Sequence, residues 1–246
     1  MFLANTPKAN SIKEVFLSWK ADEFYGDYWR KRVALGHILT EGTLARMRIA
    51  SGLVDEVLPP KGKVLDIGCG EGVFAQFMKE KRKDAVLIGI DVAEEAVRLA
   101  DQHYHLVRKG DVEDSLPEEV KNHAPYDVVV CLEVLEHLFN PLNALRRVVA
   151  LLKGGGYVVA SFPNFVHWRT RLRVLMGQLP YGYWLLDPAE HPQIFNLTRF
   201  KKLLKEAGLH ILRVKGIYSK RLRWVRILPF CVTVFAYQIV TLAKKE

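Results

Sequence analysis

The sequence predicts an α/β fold built on a doubly wound, mostly parallel sheet. Three observations carry this. Short apolar runs alternate with helical patterns from residue 63 to residue 162, a glycine run follows the first apolar run, and an acidic residue closes the second.

The elements follow in order. Residues 1–58 read as an N-terminal helical cap, amphipathic from Ser11 to Leu58, with Phe16, Trp19, Phe24, Tyr25, Tyr28 and Trp29 early in it. Pro59-Pro60-Lys61-Gly62 breaks that pattern and opens the main domain, residues 59–246. Lys63–Ile67 is a buried strand and Gly72–Lys81 a helix. Ala85–Ile90 and Ala93–Gln102 repeat the pair. His105–Arg108 is a short third strand, and the β-branched run Tyr126–Leu132 a fourth. Asn143–Lys153 reads as a helix closed by Gly154-Gly155-Gly156, and Tyr157–Phe162 as the fifth strand. An insert near 164–196, rich in Arg and aromatics, is placed as a lid between strand and helix. Thr198–Ala207 is a helix stopped by Gly208. Leu209–Ile217 and Val232–Leu242 read as the last two strands. Ile227–Ala243 is apolar, but Pro229, Thr233, Tyr237 and Gln238 interrupt it, and a membrane span needs ~20 apolar residues.

Composition narrows the function classes. At 246 residues and 50% hydrophobic content, the chain can bury one large core. Its three scattered cysteines, Cys69, Cys131 and Cys231, form no disulfide framework, and no apolar leader is visible in Met1 to Lys13, so a cytoplasmic setting is expected. The net charge of +9 is uneven: +12 falls in residues 153–246 and −3 in the rest. Such a half suits an anionic acceptor, a peripheral contact with a membrane surface, or nucleic acid; no nucleic-acid module is evident, which disfavours the last. Arg169, Arg171, Arg173, Arg221, Arg223 and Arg226 are the candidate cations.

The most specific motif is Asp66-Ile67-Gly68-Cys69-Gly70-Glu71-Gly72. Glycines at the carboxyl end of a first strand let a ligand approach the backbone, and the helix after them offers free N–H groups. Asp91, with Val92 after it, ends the next strand, where a carboxylate accepts both hydroxyls of a ribose. The dinucleotide fingerprint wants a further glycine at position 73, which is Val73. Asp66 suits a cofactor bearing an ammonium group.

The pattern resembles class I S-adenosylmethionine-dependent methyltransferases. The resemblance implies a seven-stranded sheet with an antiparallel last strand, S-adenosylmethionine as cofactor, and Gly68, Cys69, Gly70, Gly72, Asp91 and Val92 around it. It also implies that Asp111 and Val112 meet the adenine.

A second constellation, Glu133-Val134-Leu135-Glu136-His137, follows the fourth strand. If helical, it sets Glu133, Glu136 and His137 on one face. It is similar to a segment of the ubiquinone-pathway O-methyltransferases and of the small-RNA 2′-O-methyltransferases; in the latter a downstream histidine, here His191, completes a metal site. Two accounts stay open. In one, His137 is a general base oriented by Glu133, with His167 and His191 as second choices. In the other, Glu133, Glu136, His137 and His191 bind a divalent Mg, Mn or Zn ion. Ser161-Phe162-Pro163-Asn164-Phe165 with His167-Trp168-Arg169 resembles MetW-like proteins. That resemblance implies an accessory role beside a homoserine acyltransferase partner. The leading expectation is O-methylation of a small or lipid-like acceptor; the accessory role and RNA modification are the alternatives.

Overall fold

The structure, a computed structural model, describes residues 25, 26, 29, 39–178, 191–220, 222 and 231–246. Most of the expected cap, the middle of the expected lid, and Arg221, Arg223 and Arg226 lie outside the described residues.

Helix α1 (Glu41–Val57) starts at Thr40, whose side chain accepts the Thr43 amide at 3.1 Å. Its buried face holds Met47, Ala50, Leu53 and Val54. The alternation then runs as expected. Strand β1 (Lys63–Ile67) leads to α2 (Val73–Lys81), and β2 (Val86–Asp91) to α3 (Glu94–Ala100). Strand β3 (Leu106–Lys109), a short helix α4 (Glu118–Asn122) and β4 (Tyr126–Leu132) follow. Next come α5 (Pro141–Ala150), β5 (Leu152–Pro163) and α6 (Trp168–Leu175). The chain then gives α7 (Leu197–Glu206), β6 (Leu209–Ile217), α8 (Cys231–Phe235) and β7 (Gln238–Lys245).

The seven strands order as β3-β2-β1-β4-β5-β7-β6. The first five pair in parallel, and β7 runs antiparallel between β5 and β6. Strand order reverses beside β1, so a crevice opens over the carboxyl ends of β1 and β4, where ligands bind in such sheets. Apolar clusters cover both faces: Leu65, Val129 and Phe162 belong to one, Val64, Val128 and Val159 to the other. Burial on both faces explains why β4, buried at all seven positions, reads as an unbroken apolar run.

Three expectations need correction. Val232–Leu242 is not one strand, because its first residues form α8. Asn164 Nδ2 donates to the carbonyls of Thr233 at 3.1 Å and Ala236 at 2.8 Å, and this contact overrides the β-branched propensity of the segment. The helix before β5 starts and stops earlier than Asn143–Lys153: Asn140 caps it by accepting the Asn143 amide, and Pro141 fits its first turn. The glycines 154–156 therefore belong to β5, where the register to β4 shifts.

Candidate active site

The crevice is a cavity of about 620 Å³, lined at one end by Asp66, Gly68, Gly70, Asp91 and Asp111 and at the other by Arg46, Glu133, His137 and His191. Its floor is the glycine turn between β1 and α2. Gly68, Gly70 and Gly72 all have positive φ, and a Cβ on Gly68 would lie 2.5 Å from Val134 Cγ2. The turn therefore requires glycine twice over, by conformation and by space.

Asp91 ties this turn to β2. Its Oδ2 accepts the Gly70 amide at 2.9 Å and its Oδ1 the Ala93 amide at 3.0 Å. Burial pushes its carboxyl above the ordinary value, and these amides oppose the shift. Asp66 lies deeper and takes a hydrogen bond from the Tyr104 hydroxyl. Burial lifts its carboxyl from 3.8 to about 7, the Tyr104 bond opposing and the Asp91 charge adding. Cys69 is buried in the turn, and its thiol is pushed up by burial and then by both carboxylates. Val92 and Val112 line the cavity. Asp111 shapes a turn at its rim, accepting the Glu113 amide at 2.8 Å.

At the other end the chain leaves β4 through Glu133, whose φ is 58°. This left-handed backbone breaks the helical spacing expected for Glu133, Glu136 and His137; the helical turn begins only at Leu135. The correction is chemical as well. The Glu133 carboxylate accepts from Ser161 Oγ at 3.0 Å and Gln238 Nε2 at 3.1 Å, and lies 3.6 Å from Arg46 Nη1. It is neither beside the His137 ring as an orienter nor within the cluster of potential metal ligands.

That cluster holds Glu136, His137 and His191, with one potential ligand atom from each within 4.8 Å of the others. The two imidazole centroids are 4.6 Å apart. His191 is placed by the segment after it: the Gln193 amide donates to the Glu136 carbonyl, and Phe195 packs edge-on against the stacked rings of Phe162 and Phe200. Glu136 is fully buried, and neither carboxylate oxygen has a hydrogen-bond partner among the described residues. Burial and the neighbouring Glu133 charge raise its carboxyl well above the usual range. His167 is elsewhere. It precedes α6, packs against Trp168 and does not line the cavity, so it stands away from the reacting centre.

A family model described as a methyltransferase domain matches residues 28–214. The chain belongs to this methyltransferase family. Among curated relatives, the ubiquinone biosynthesis O-methyltransferase of Burkholderia pseudomallei (strain 1710b) is 33% identical over 165 residues, spanning 64% of this chain and 68% of the relative. The protein of the same name from Paracidovorax citrulli (strain AAC00-1) is 29% identical over 178 residues, 68% of this chain and 71% of that one. Among solved structures, magnesium protoporphyrin IX methyltransferase from Synechocystis PCC 6803 with bound S-adenosylhomocysteine superposes with a TM-score of 0.62 at 18% identity, covering 92% of this chain and 100% of the other. At that identity the likeness concerns the fold.

The methyltransferase is thus an enzyme that takes S-adenosylmethionine as methyl donor. Among its described residues no helix is long and apolar enough to cross a membrane. Four polar residues of the methyltransferase's site carry no signature in sequence. Arg46 sits in α1 among apolar residues, with its side chain 12% exposed and its Nε buried without a hydrogen-bond partner among the described residues. Tyr104, Ser161 and Gln238 reach the site only through sheet pairing. The one available signal is that Ser161 and Gln238 stand near strand ends, at the crevice edge.

Proposed function

We propose that the methyltransferase moves the methyl group of S-adenosylmethionine to a hydroxyl oxygen of a small or lipid-like acceptor, with His137 as general base. One observation carries this reading: a single cavity holds Asp91 and the glycine turn at one end and His137 and His191 at the other. Oxygen as the acceptor atom is supported by the name of the curated relatives. The acceptor oxygen attacks the sulfonium methyl carbon, the carbon–sulfur bond breaks, and the hydroxyl proton passes to His137. S-adenosylhomocysteine leaves. In-line positioning supplies much of the rate.

The cofactor roles are those that the family resemblance implies, and the lining of the cavity is consistent with them. Asp91 takes the ribose hydroxyls, Asp111 and Val112 the adenine, and Asp66 faces the ammonium end. Arg46, a buried guanidinium whose Nε has no partner among the described residues, suits the cofactor carboxylate.

A divalent cation fits the second end. Glu136 offers a buried carboxylate with no competing partner among the described residues, and His137 and His191 bring imidazoles beside it. Mg, Mn or Zn there would lower the pKa of an acceptor hydroxyl. These three residues would hold it, with Glu133 engaged by Arg46 instead; His137 would then give its lone pair to the ion, so this site is the alternative to His137 as base.

The test is methyl transfer to a panel of phenolic and catecholic acceptors, followed by mass spectrometry. Methyl ethers, reduced in the His137→Ala variant, are expected. Methylation on nitrogen or carbon alone would overturn the oxygen assignment.

A further inference from the structure

Strands β3 and β4 are not neighbours. Strands β2 and β1 lie between them, which sets their carboxyl ends about 14 Å apart at ordinary strand spacing. The loops that follow them nevertheless meet, and Glu113 joins them. Its Oε2 accepts the Phe139 amide at 3.0 Å and its Oε1 the Asn140 amide at 2.6 Å. The sequence of α5 explains the need for an acid there. Pro141 opens the helix and its first turn holds no acidic residue, while a helix N-terminus favours a carboxylate; Glu113 supplies one from another loop. Arg147, further along α5, fastens the same loop by donating from Nη1 to the carbonyls of Val112, at 3.1 Å, and Glu113. The tie reaches both ends of the cavity. On the β3 side, the Glu113 amide donates to Asp111 Oδ1 at 2.8 Å and the Gly110 amide to the Asp91 carbonyl at 2.9 Å. On the β4 side, Phe139 follows His137 by two residues, and its carbonyl accepts from Gln193 Nε2 at 3.2 Å. Asp111, Val112, Glu113, His137, Leu138 and Phe139 all line the cavity, so the joined loops wall it together.

We propose that Glu113 is a positioning residue that carries occupancy of the adenine end to His137. This role rests on the reading of Asp111 and Val112 as adenine contacts, with His137 at the acceptor end. An adenine settling against Asp111 and Val112 shifts the loop to which Glu113 belongs. Charge-assisted bonds to two successive amides pass that shift to the backbone just after His137, through a contiguous chain of contacts. The imidazole is then aligned when the methyl donor is in place. A carboxylate that only capped α5 would stabilise the helix and carry nothing between the two ends. Val112 and Leu138 belong to one apolar cluster, which keeps both loops folded when Glu113 is changed.

Nuclear magnetic resonance of the full chain with isotope-labelled histidine tests this. The ring Cε1–H signal of His137 is assigned by its loss in His137→Ala. The probe is adenosine, which has the adenine and ribose of the cofactor and lacks its sulfur and amino-acid end. Adenosine is expected to shift the His137 signal of the parent. In Glu113→Ala it should bind with an affinity near the parent's, read by calorimetry, and leave the His137 signal unmoved. Glu113→Gln keeps one carbonyl oxygen for one of the two amides and should give an intermediate shift. Thermal denaturation of both variants reads the capping role separately. An unmoved signal in a parent that binds adenosine, or an equal shift in Glu113→Ala, overturns the coupling and leaves Glu113 as a helix cap. Loss of adenosine binding in both variants overturns it too, because Glu113 would then build the adenine end itself. A parent that fails to bind adenosine overturns the reading of Asp111 and Val112 as the adenine end, and the coupling falls with it.

Discussion

The Ser161 hydroxyl holds Glu133 from two sides, accepting its amide N–H and donating to its carboxylate, each at 3.0 Å. Glu133 needs this. Its left-handed backbone costs on the order of 1–3 kcal/mol for a residue with a side chain. Its carboxyl, lifted by burial, is drawn back by Arg46, Ser161 and Gln238. Ser161→Ala removes both bonds and leaves a half-buried amide without its acceptor. Denaturant unfolding should show a loss of about 1–3 kcal/mol. A loss within measurement error would mean that Glu133 relaxes freely and that Ser161 does not position it.

Arg46 and Glu133 lie 87 residues apart in sequence and 3.6 Å apart in space. If the guanidinium takes the cofactor carboxylate, Arg46→Ala should weaken S-adenosylhomocysteine binding by about 1.5–3 kcal/mol. Arg46→Lys should recover only part of it, because a point charge replaces a planar fork. Asp91→Ala should cost a similar amount at the ribose. Calorimetry on the three variants measures all of this. Undiminished affinity in Arg46→Ala would remove Arg46 from the cofactor site.

The alternation of strands and helices was legible because parallel strands buried on both faces read as plain apolar runs. The cofactor end was legible for a related reason: glycines and an aspartate must stand at strand ends to touch a nucleoside cofactor. The acceptor end was not. Glu133 was expected on a helix with Glu136, since the spacing fits one, yet its bonds to Ser161 and Gln238 come from two other strands and turn it away. Arg46 could not be singled out, since a lone arginine in an amphipathic helix looks like a solvated one. Tyr104 reaches Asp66 only because β3 pairs beside β2. Each of these contacts is set by tertiary pairing, to which local periodicity is blind.

Asp66 makes cofactor affinity depend on pH. Its folded carboxyl titrates near 7, against 3.8 for the free group, with burial the main cause. The folded chain therefore holds a proton that the unfolded chain has lost, and the cost of burying the anion grows as pH rises through that window. The cofactor ammonium favours the anion. Affinity for S-adenosylhomocysteine should rise from about pH 6 to about pH 8, by up to tenfold per unit below the midpoint, with proton release on binding. Tyr104→Phe removes the bond that lowers the carboxyl and should move the midpoint upward. Asp66→Asn should flatten the profile. Calorimetry in buffers of different ionisation enthalpy measures the released proton, and a flat parent profile would contradict the ammonium assignment.

The two histidine candidates that differ in position should differ in effect. His137→Ala should slow methyl transfer by about 10²–10⁴-fold with little change in cofactor affinity. His167→Ala should leave the rate near the parent's, because His167 does not line the cavity. Steady-state kinetics with one accepted substrate decides, and equal losses in both variants would indicate a structural effect shared by the two.

The divalent site is open to a readout that needs no substrate. Glu136, His137 and His191 offer one carboxylate and two imidazoles, a mixed oxygen and nitrogen set suited to Mn²⁺ or Zn²⁺ and able to take Mg²⁺. A buried carboxylate without a partner is costly, and a cation is one way to offset that cost. Mn²⁺ binding, followed by electron paramagnetic resonance, should therefore give one site per chain. Glu136→Gln should weaken it sharply, since the charged ligand is gone while the shape is kept. His191→Ala should weaken it as well. Glu133→Gln should have a smaller effect, because Glu133 is engaged by Ser161, Gln238 and Arg46. Activity lost to a chelator and restored by Mg²⁺ or Mn²⁺ would tie the ion to catalysis. No Mn²⁺ signal, together with activity that survives thorough chelation, would dismiss the metal and leave His137 as an unassisted base. Equal losses in Glu133→Gln and Glu136→Gln would instead mean that Glu133 swings from Arg46 to the ion when metal and cofactor are both present.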